Sequence, residues 1–364
     1  MRAGNYYGVG LLLITLTVLG LATFPASAAV PYPIITDLGT LGGNWSMAHG
    51  INDSGQVVGH SDTASGDRRA FLWQSGGMSD LGTFGGNDSM AHGINDSGQV
   101  VGHSDTTSGY RHAFFWQSGL MSDLGTLGGN SSWAYGINDS GQVVGESDTA
   151  SGDRHTFLWE AGQGMSDLGT LGNWSWACGI NNSGQVVGET DTASGDGHAF
   201  FWEAGQGMSD LGTLDGDNSM AHSINDSGQV VGHSDTTDYD IMHAFLWEAG
   251  QGMSDLGTLD GDNSMAYSIN DSGQVVGESD TAEGSTHAFI WRDGVMTDLN
   301  DLIPAGSGWE LTSASAINNA GYIVGEGYIG GEYHAFLIPE PSTLLLLGSG
   351  LVGLIRLRRK KSVS

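Results

Sequence analysis

Short apolar runs alternate with turn residues along most of the chain. Between residues 80 and 125 the runs are Ser89 to Asn95, Gln99 to Ser104, His112 to Trp116 and Leu120 to Gly125. Each run has the length of a strand, is rich in Val, Ile, Phe or Trp, and is bounded by Gly, Asn, Asp or Ser. None has the length or the 3.6-residue period of a helix. The pattern therefore predicts four short β-strands in each unit.

This four-strand unit occurs seven times. The copies open at Asp37, Asp80, Asp123, Asp167, Asp210, Asp255 and Asp298, which are 43 to 45 residues apart. Four antiparallel strands in a unit of this length are typical of a propeller blade. The alternative is an open solenoid, which would carry atypical capping units at both ends.

The ends of the repeat region favour a closed ring. Residues 33–38 match the fourth strand of a unit with no first three strands before them, and the last unit stops after the third-strand run that ends at Leu337. Pairing the two segments completes the last unit and leaves no open edge. The sequence therefore predicts an all-β fold, a seven-bladed β-propeller closed by its N-terminal strand.

The turn between the first two strands has a specific signature. Asn95-Asp96-Ser97-Gly98 places Asn at the first turn position and Gly at the fourth. This order suits a type I turn followed by a left-handed Gly, so the first two strands are expected to form a hairpin.

The two termini indicate targeting segments. Arg2 precedes the apolar run from Gly10 to Leu21, and Ala26 to Ala28 is a small-residue cleavage site, so residues 1–29 are predicted to be a signal peptide. At the other end, residues 344–355 are apolar and Arg356 to Lys361 is basic, which predicts a short transmembrane helix with its basic end in the cytoplasm. Residues 30–338 are then the propeller, and residues 339–364 the tail.

The tail resembles a known signal. Pro339, Glu340 and Pro341, followed by the apolar run and the basic end, resemble the PEP-CTERM sorting signal of Gram-negative bacteria. The resemblance implies recognition by an exosortase, membrane contact through the tail before processing, and cleavage near the motif. It also implies display or release outside the cell, commonly alongside exopolysaccharide. A plain C-terminal anchor is the alternative and gives nearly the same location.

The unit itself resembles the HAF repeat of extracellular bacterial proteins. The tripeptides that carry the resemblance begin at His112, His198, His243, His287 and His334. The first unit has Arg69-Ala70-Phe71 instead, and the third has His155-Thr156-Phe157. The resemblance implies an extracellular repeat protein and carries no assigned chemistry.

The charge of the expected mature region limits its partners. Residues 30–338 contain five Arg, no Lys and all but one of the 41 acidic residues, for a formal charge of about −35. Such a surface repels phosphate backbones, so nucleic acid is excluded as a partner. It favours solubility, calcium or cationic partners. Cys178 is the only cysteine, so no intramolecular disulfide can form.

Residues shared by every unit are expected to be scaffold. Phe71, Phe114 and their equivalents should pack between adjacent units, with the Trp that lies two residues further along. The HAF histidine is expected to be a hydrogen-bonded structural residue. The Asn-Asp-Ser-Gly turns lack the full run of ligands that wraps calcium, although a calcium site there stays open.

Two positions that vary between units change together. They lie two residues before the Ile of the first strand and two residues after the second Val of the second strand. In chain order the pairs are His49/His60, His92/His103, Tyr135/Glu146, Cys178/Glu189, His222/His233, Tyr267/Glu278 and Ser315/Glu326. A two-residue hairpin loop would put both side chains on one face, whereas a three-residue loop would put them on opposite faces.

The His/His pairs are candidate ligands for a transition metal. If the two rings share a face, three two-His sites for Zn²⁺, Cu²⁺ or Ni²⁺ result, each needing a third ligand from His112, His243 or an acid. The alternative is that the three units are duplicates with a shared ancestry. No cofactor is certain from the sequence.

Tryptophans in two sets of longer polar loops, expected on one rim, suggest a binding surface. The candidates are Trp45, Trp133, Trp174, Trp176 and Trp309. Aromatic side chains on a rigid scaffold are typical of binding sites, and their faces suit the apolar side of sugar rings. Packing of these side chains on their own unit is the alternative.

Taken together, the sequence favours a non-catalytic, secreted or surface-displayed binding protein with extracellular polysaccharide or another surface protein as partner. No unit carries a unique set of paired carboxylates or a nucleophile with its base, so we expect no catalytic activity. The alternatives are a polysaccharide lyase or glycosidase with its site at the channel mouth, and a purely structural spacer.

Overall fold

The computed structural model describes residue 32, residues 34–237 and residues 241–339. The chain divides into two compact units, Met1–Val30 and Pro31–Ser364, and every described residue lies in the second. The predicted signal peptide and the sorting tail from Glu340 onward lie outside the described residues. Within the described part, no helix is long and apolar enough to cross a membrane.

The first half of the described chain contains thirteen strands. They are β1 (Thr36–Asp37), β2 (Gly42–Ile51), β3 (Val57–Thr63), β4 (Arg68–Gln74), β5 (Gly77–Asp80), β6 (Gly85–Ile94), β7 (Val100–Thr106), β8 (Arg111–Gln117), β9 (Leu120–Asp123), β10 (Gly128–Ile137), β11 (Val143–Thr149), β12 (Arg154–Glu160) and β13 (Gly164–Asp167).

The second half continues in the same order, with a 3-10 helix at Leu299–Asp301 after β25. Its strands are β14 (Ser175–Ile180), β15 (Val186–Asp191), β16 (Gly197–Glu203), β17 (Gly207–Asp210), β18 (Ser219–Ile224), β19 (Val230–Asp235), β20 (Met242–Glu248), β21 (Gly252–Asp255), β22 (Asp260–Ile269), β23 (Val275–Thr281), β24 (Thr286–Arg292), β25 (Val295–Asp298), β26 (Trp309–Ile317), β27 (Ile323–Ile329) and β28 (Glu332–Ile338).

The described strands pair as consecutive antiparallel sheets. Five sheets have four strands each, in the orders β6-β7-β8-β9, β10-β11-β12-β13, β14-β15-β16-β17, β18-β19-β20-β21 and β22-β23-β24-β25. The remaining eight strands form two groups of four, β2 to β5 and β26 to β28 with β1. A single parallel pairing, Trp45 with Tyr333, joins these two groups.

The two ends of the repeat region meet in the last group. β1 pairs antiparallel with β28, with Thr36 opposite Leu337 and Asp37 opposite Phe336. Leu38 N donates to Ala335 O at 3.0 Å, and Leu38 is buried. The N-terminal strand therefore occupies the fourth-strand position beside β26, β27 and β28.

Most of the strands predicted from the apolar runs are present. The first strands of several units are longer than predicted, whereas those of the fourth and fifth units begin at Ser175 and Ser219. The first strand of the second unit begins at Gly85 rather than Ser89. The first unit behaves likewise, since its first strand begins at Gly42. The extension forms through backbone pairing with the end of the second strand, where Gly42 pairs with Thr63. Runs of Gly and Asn conceal this pairing in the sequence.

The predicted turn is confirmed. Gly98 N donates to Asn95 O at 2.9 Å, and Gly98 has φ +73°, in the left-handed region that glycine adopts without steric cost. The Asn95 side chain also accepts from Gln99 N at 3.0 Å, which fixes a three-residue hairpin loop.

The hydrophobic core lies between consecutive sheets, as expected for the repeated Phe. Phe114 is fully buried and packs against Val58, Ala70 and Leu72 of the preceding unit. Trp116 is only partly buried at the edge of the same cluster. Because each interface repeats this arrangement, burial of one Phe per unit ties each sheet to its neighbour.

Polar contacts repeat with the same period. The HAF histidine contacts the Asp of the fourth strand, for example His112 Nδ1 to Asp123 Oδ2 at 2.7 Å. Asp123 also accepts from Gly125 N at 2.8 Å. The last of these pairs, His334 with Asp37, joins the two ends of the repeat region at 3.0 Å. The hydrogen bond predicted for this histidine is present in all six units that have it.

A chain of hydrogen bonds links all seven hairpin turns. Each turn Asn donates its side-chain Nδ2 to the backbone oxygen of the Asn in the next unit, beginning with Asn52 to Asn95 at 3.1 Å. The chain proceeds through Asn138, Asn181, Asn225, Asn270 and Asn318. Asn318 donates to Asn52 O at 2.9 Å, so the chain of bonds returns to its first member.

Candidate functional site

A β-bulge in each first strand decides where the variable pairs point. In the first unit Gly50 pairs with Val58, but Ala48 pairs with Gly59, so His49 is an extra residue. The three-residue turn alone would place His49 and His60 on opposite faces. The bulge shifts the register by one, His60 then pairs with Met47, and both histidines share a face.

The histidines of each His/His pair are in direct contact. His49 Nε2 lies 2.8 Å from His60 Nδ1, and the equivalent distances are 3.1 Å for His92 with His103 and 3.0 Å for His222 with His233. One nitrogen must donate and the other accept, so at least one ring of each pair is neutral. Mutual hydrogen bonding explains why the two positions change together.

The other units replace this contact with a carboxyl. Tyr135 Oη donates to Glu146 Oε1 at 3.1 Å, and Ser315 Oγ donates to Glu326 Oε2 at 3.0 Å. In the fourth unit the donor to the glutamate is a tryptophan rather than Cys178, since Trp176 Nε1 donates to Glu189 Oε2 at 3.0 Å. In the sixth unit the hydroxyls of Tyr267 and Ser313 face the Glu278 carboxyl.

Some of the side chains of the variable pairs line a cavity of about 620 Å³, here called the inner cavity. All seven first-strand members of the variable pairs line it: His49, His92, Tyr135, Cys178, His222, Tyr267 and Ser315. Met47, Trp176, Met220, Ser313, Tyr333, Glu278 and Glu326 complete the wall. The volume is within the range of about 300–1,000 Å³ that is usual for ligand pockets, and aromatic walls with a few polar groups are typical of them.

Aromatic rings contact each other around this wall. The ring centroids of His49 and His92 are 5.3 Å apart, and those of His92 and Tyr135 are 5.1 Å apart. On another side His222 and Tyr267 are 5.3 Å apart. Packed rings from neighbouring sheets give the cavity a wall of fixed shape.

Burial favours the neutral forms of the titratable groups in this wall. It lowers the pKa of His49 to about 4 and that of His222 to about 3, which keeps both imidazoles neutral. Burial raises the pKa of Glu326 to about 8, and raises the pKa of Glu278. It also raises the pKa of the Cys178 thiol to about 12, so this thiol is not an activated nucleophile.

The structure brings only one of the five candidate tryptophans into the inner cavity. Trp176 lines it, and Trp174, 36% exposed, packs edge-on against Trp176 at 6.4 Å. The guanidinium of Arg68 lies 5.0 Å from the Trp45 ring, and that of Arg154 lies 4.6 Å from the Trp133 ring. These two rings are already in cation–π contact with their own units.

Trp309 is placed differently from the other candidates. It packs edge-on against the buried Phe336 at 6.0 Å and belongs to the core of the last unit. Its position corresponds to the alternative in which a loop tryptophan packs on its own unit.

The metal interpretation of the His/His pairs stays a prediction, but the third ligands expected for it are not brought together. His112 and His243 contact Asp123 and Asp255 instead. Among the described residues no group of three or more His, Cys, Asp or Glu is arranged to hold an ion. Two nitrogens on one tetrahedral zinc would lie about 3.3 Å apart, so nitrogens at 2.8 to 3.1 Å are hydrogen-bonded to each other.

A second, smaller cavity of about 230 Å³ is formed by the hairpin turns. Asp53, Asp96, Asp139, Asn182, Asp226, Asp271 and Asn319 surround it. Each of these side chains accepts from the backbone N–H of the preceding turn, as Asp96 Oδ1 does from Asp53 N at 2.9 Å. The turns are thus engaged in structural contacts, and the calcium interpretation of them stays a prediction.

Sequence comparison identifies the tail. Residues 337–360 match the family model described as the PEP-CTERM protein-sorting motif. This motif implies processing by an exosortase, export, and sorting to the cell surface of a bacterium. No curated protein matches the chain.

Comparison with solved structures identifies the fold. The β-propeller domain of the Trilobed protease from Pyrococcus furiosus superposes with a TM-score of 0.55 at 10% identity, covering 82% of this chain and 96% of that chain. The BP39L lectin from Burkholderia pseudomallei gives 0.50 at 7% identity, covering 82% and 97%. A puromycin-hydrolyzing peptidase from Mycobacterium tuberculosis gives 0.50 at 12% identity, covering 82% and 53%. Likeness at such low identity shows the β-propeller fold alone.

Proposed function

We propose that this chain is a non-catalytic binding protein that is displayed at, or released from, the bacterial surface. Its signal peptide would be residues 1–29, its propeller residues 30–338 and its sorting tail residues 339–364. The propeller would have seven blades and be closed by β1. The pairing of β1 with β28 and the hydrogen bond from Asn318 back to Asn52 support this closure.

The inner cavity carries the proposal that the protein binds a ligand. The buried Phe of the third strand and the first Asn of the turn are the same in every unit, whereas the first-strand residue that lines this cavity varies among His, Tyr, Cys and Ser. A wall with a different side chain on each side can fix the orientation of an asymmetric ligand. A purely structural spacer has no need of such a wall.

The chemistry of the wall suits a sugar residue of an extracellular polysaccharide. The rings of Trp176, Tyr135 and Tyr267 offer apolar faces, and neutral imidazoles and hydroxyls offer hydrogen bonds without a fixed charge. The rim tryptophans support this less, because Trp45 and Trp133 are covered by arginines. The sorting tail agrees with a polysaccharide partner, since such tails commonly occur alongside exopolysaccharide.

The proposal is tested by screening the purified protein on an array of bacterial and plant polysaccharide fragments. We expect saturable binding to a subset of glycans, and Trp176→Ala to weaken it at least about tenfold through loss of the stacking face. Trp176→Phe should retain most of the affinity. Trp174→Ala removes a neighbouring tryptophan that does not line the cavity and should change affinity less than about threefold.

Two results would contradict the proposal. Absence of glycan binding would favour a purely structural spacer. Loss of binding in Trp174→Ala but not in Trp176→Ala would indicate that the glycan binds at the loop tryptophans outside the inner cavity. Circular dichroism of each variant controls for folding.

The enzyme alternative rests on one observation. Glu278 and Glu326 both line the inner cavity, and glycosidases use two carboxyls. Release of reducing sugar, or the absorbance of an unsaturated uronate, from a glycan that binds would favour this alternative. Neither signal is expected for a binding protein.

A further inference from the structure

Two carboxyl groups from neighbouring sheets stand in one part of the inner cavity wall. Glu278 lies on β23 and Glu326 on β27, and both line the cavity. Glu326 is 4% exposed. The two carboxyls are near each other, because both are hydrogen-bonded to Ser313, and Glu278 raises the pKa of Glu326 in addition to the larger effect of burial.

Neither carboxyl has a cationic partner among the described residues. None of the ion pairs in this part of the chain includes Glu278 or Glu326. Their hydrogen-bond partners are hydroxyls, those of Ser313 and Ser315 at Glu326 and those of Tyr267 and Ser313 at Glu278. The Asp280 carboxylate is a further negative group near Glu278 and raises the pKa of Glu278. A buried carboxylate without a cation is unfavourable, and proteins usually avoid it by pairing or protonation.

The other two glutamates at equivalent positions behave differently. Glu146 lies 3.5 Å from the guanidinium of Arg154, and Glu189 accepts the indole N–H of Trp176. Neither of them lines the cavity. Only the pair on the sixth and seventh units combines access to the cavity with the lack of a cation.

The surroundings of the pair suit a positive group. The Tyr267 and Tyr333 rings line the same part of the wall, and the faces of aromatic rings attract cations. The serine and tyrosine oxygens add acceptors for N–H donors, and a primary ammonium has three such donors. The net charge of −30 would also concentrate cations near the protein.

We propose that the ligand of the inner cavity carries a primary ammonium group that is seated between Glu278 and Glu326. This inference rests on the proposed function, and within it the ligand is an amino-sugar residue of an extracellular polysaccharide with a free amino group. In the empty cavity, a proton on Glu326 takes the place of that cation.

The test compares two ligands that differ only at the amino group, which is a charged ammonium in one and an uncharged acetamide in the other. Oligomers of glucosamine and the same oligomers in N-acetylated form are titrated calorimetrically into the purified full-length protein. We expect the free amine to bind at least about tenfold more tightly. Glu278→Gln and Glu326→Gln should each remove most of that preference, while affinity for the acetylated oligomer changes less than about threefold.

Matched controls separate local from long-range effects. Glu283→Gln removes one negative charge from an exposed loop residue and should leave the preference for the amine intact. Glutamine has the shape of glutamate, and thermal melting establishes that each variant is folded. If one of the two cavity variants fails to fold, the other still decides the result.

The outcomes distinguish this inference from the proposed function. Equal affinity for the two oligomers, or a preference unchanged in both cavity variants, overturns the ammonium site but leaves glycan binding standing. Binding of a simple diamine such as putrescine, lost in both variants, with no binding of any oligosaccharide, supports the ammonium site and overturns the glycan. Absence of binding of every probe overturns both.

Discussion

At the scale of single residues, the paired positions of the first and second strands are governed by burial. His49 and His60 are neutral because burial lowers the pKa of each, to about 4 and to about 2. Neutral rings satisfy each other with one hydrogen bond at 2.8 Å. Replacing one ring without the other leaves a buried polar group unsatisfied.

A double-mutant cycle tests this coupling. His49→Tyr and His60→Glu recreate in the first unit the pair found at Tyr135 and Glu146. We expect each single change to lower the free energy of unfolding by about 1–3 kcal/mol and the double variant to recover about 1–2 kcal/mol of the sum, because contacting residues are not additive. Urea denaturation measures all four proteins.

The fifth unit provides the control, since the cycle of His222→Tyr and His233→Glu should show the same coupling as the cycle in the first unit. Strict additivity in both units would contradict the assigned contact.

The pH dependence of stability follows from the same residues. Burial lowers the pKa of all six paired histidines, which are His49, His60, His92, His103, His222 and His233. Below pH 6.5, the ordinary pKa of histidine, these side chains therefore bind more protons in the unfolded chain than in the folded one. Stability is therefore lost as pH falls below 6.5. Glu326, whose pKa is raised to about 8, has the opposite sign: its contribution is lost as pH rises from 4.5 to about 8.

The six histidines outnumber the four glutamates with raised pKa, Glu146, Glu189, Glu278 and Glu326. We expect stability to rise from pH 4.5 to about 6.5 and then to decline toward pH 8. Thermal melts at constant ionic strength measure this profile, and a steady rise up to pH 8 would contradict the burial of the glutamates.

Part of the arrangement of the variable pairs could be predicted from the sequence. The covariation of His with His and of Tyr or Ser with Glu identifies the positions, but not the face on which they lie. The face depends on an extra residue at His49, and nothing in Ala48-His49-Gly50 distinguishes a bulge from regular strand. Trp176 lines the cavity because it occupies the position of Met47, opposite the second member of the variable pair, whereas Trp45 lies two residues earlier on its strand.

At the scale of elements, the hairpin turn joins strands and also joins sheets. Its Asn closes the loop and donates to the next unit, and its Asp accepts a backbone N–H from the preceding unit. The sequence predicts the turn because Asn-x-x-Gly is a local signal. The links between units could not be predicted, because they depend on how the sheets are arranged in space.

The Asp and Asn side chains around the smaller cavity lead to an electrostatic prediction. Asn182 Nδ2 donates to Asp139 Oδ2 at 2.9 Å and to Asp226 Oδ2 at 3.0 Å. Asn182→Asp replaces both bonds with repulsion and should lower the free energy of unfolding by about 1 kcal/mol at low salt, with partial recovery in 0.5 M NaCl.

Asp96→Asn is the matched control, because it removes one negative charge from these turns where Asn182→Asp adds one. The pKa of Asp96 is raised by burial and by the neighbouring Asp53 and Asp139 carboxylates, so removal of its charge should not destabilise the protein. Equal destabilisation by both variants would contradict an electrostatic origin.

At the scale of the whole molecule, the proposed closure of the propeller depends on β1. Leu38 follows β1 and is 5% exposed, packed among Phe71, Val57 and Leu337. Leu81 and Leu124 occupy the equivalent places after β5 and β9, each 8% exposed. The sequence suggested this closure because the missing strand at one end matches the surplus strand at the other.

If β1 completes the last unit, Leu38→Ala should cost as much as Leu81→Ala or Leu124→Ala, about 2–4 kcal/mol each. The free energy of unfolding in urea measures all three. A cost near zero for Leu38→Ala, with normal costs for the other two, would contradict closure by the N-terminal strand.

The most direct test of the account is the crystal structure of the protein in complex with the glycan that it binds most tightly. We expect a sugar ring inside the inner cavity, stacked on Trp176, with an amino group within hydrogen-bond distance of Glu278 and Glu326. A glycan seated instead on the outer loops beside Trp45 and Trp133, with the cavity unchanged, would contradict it.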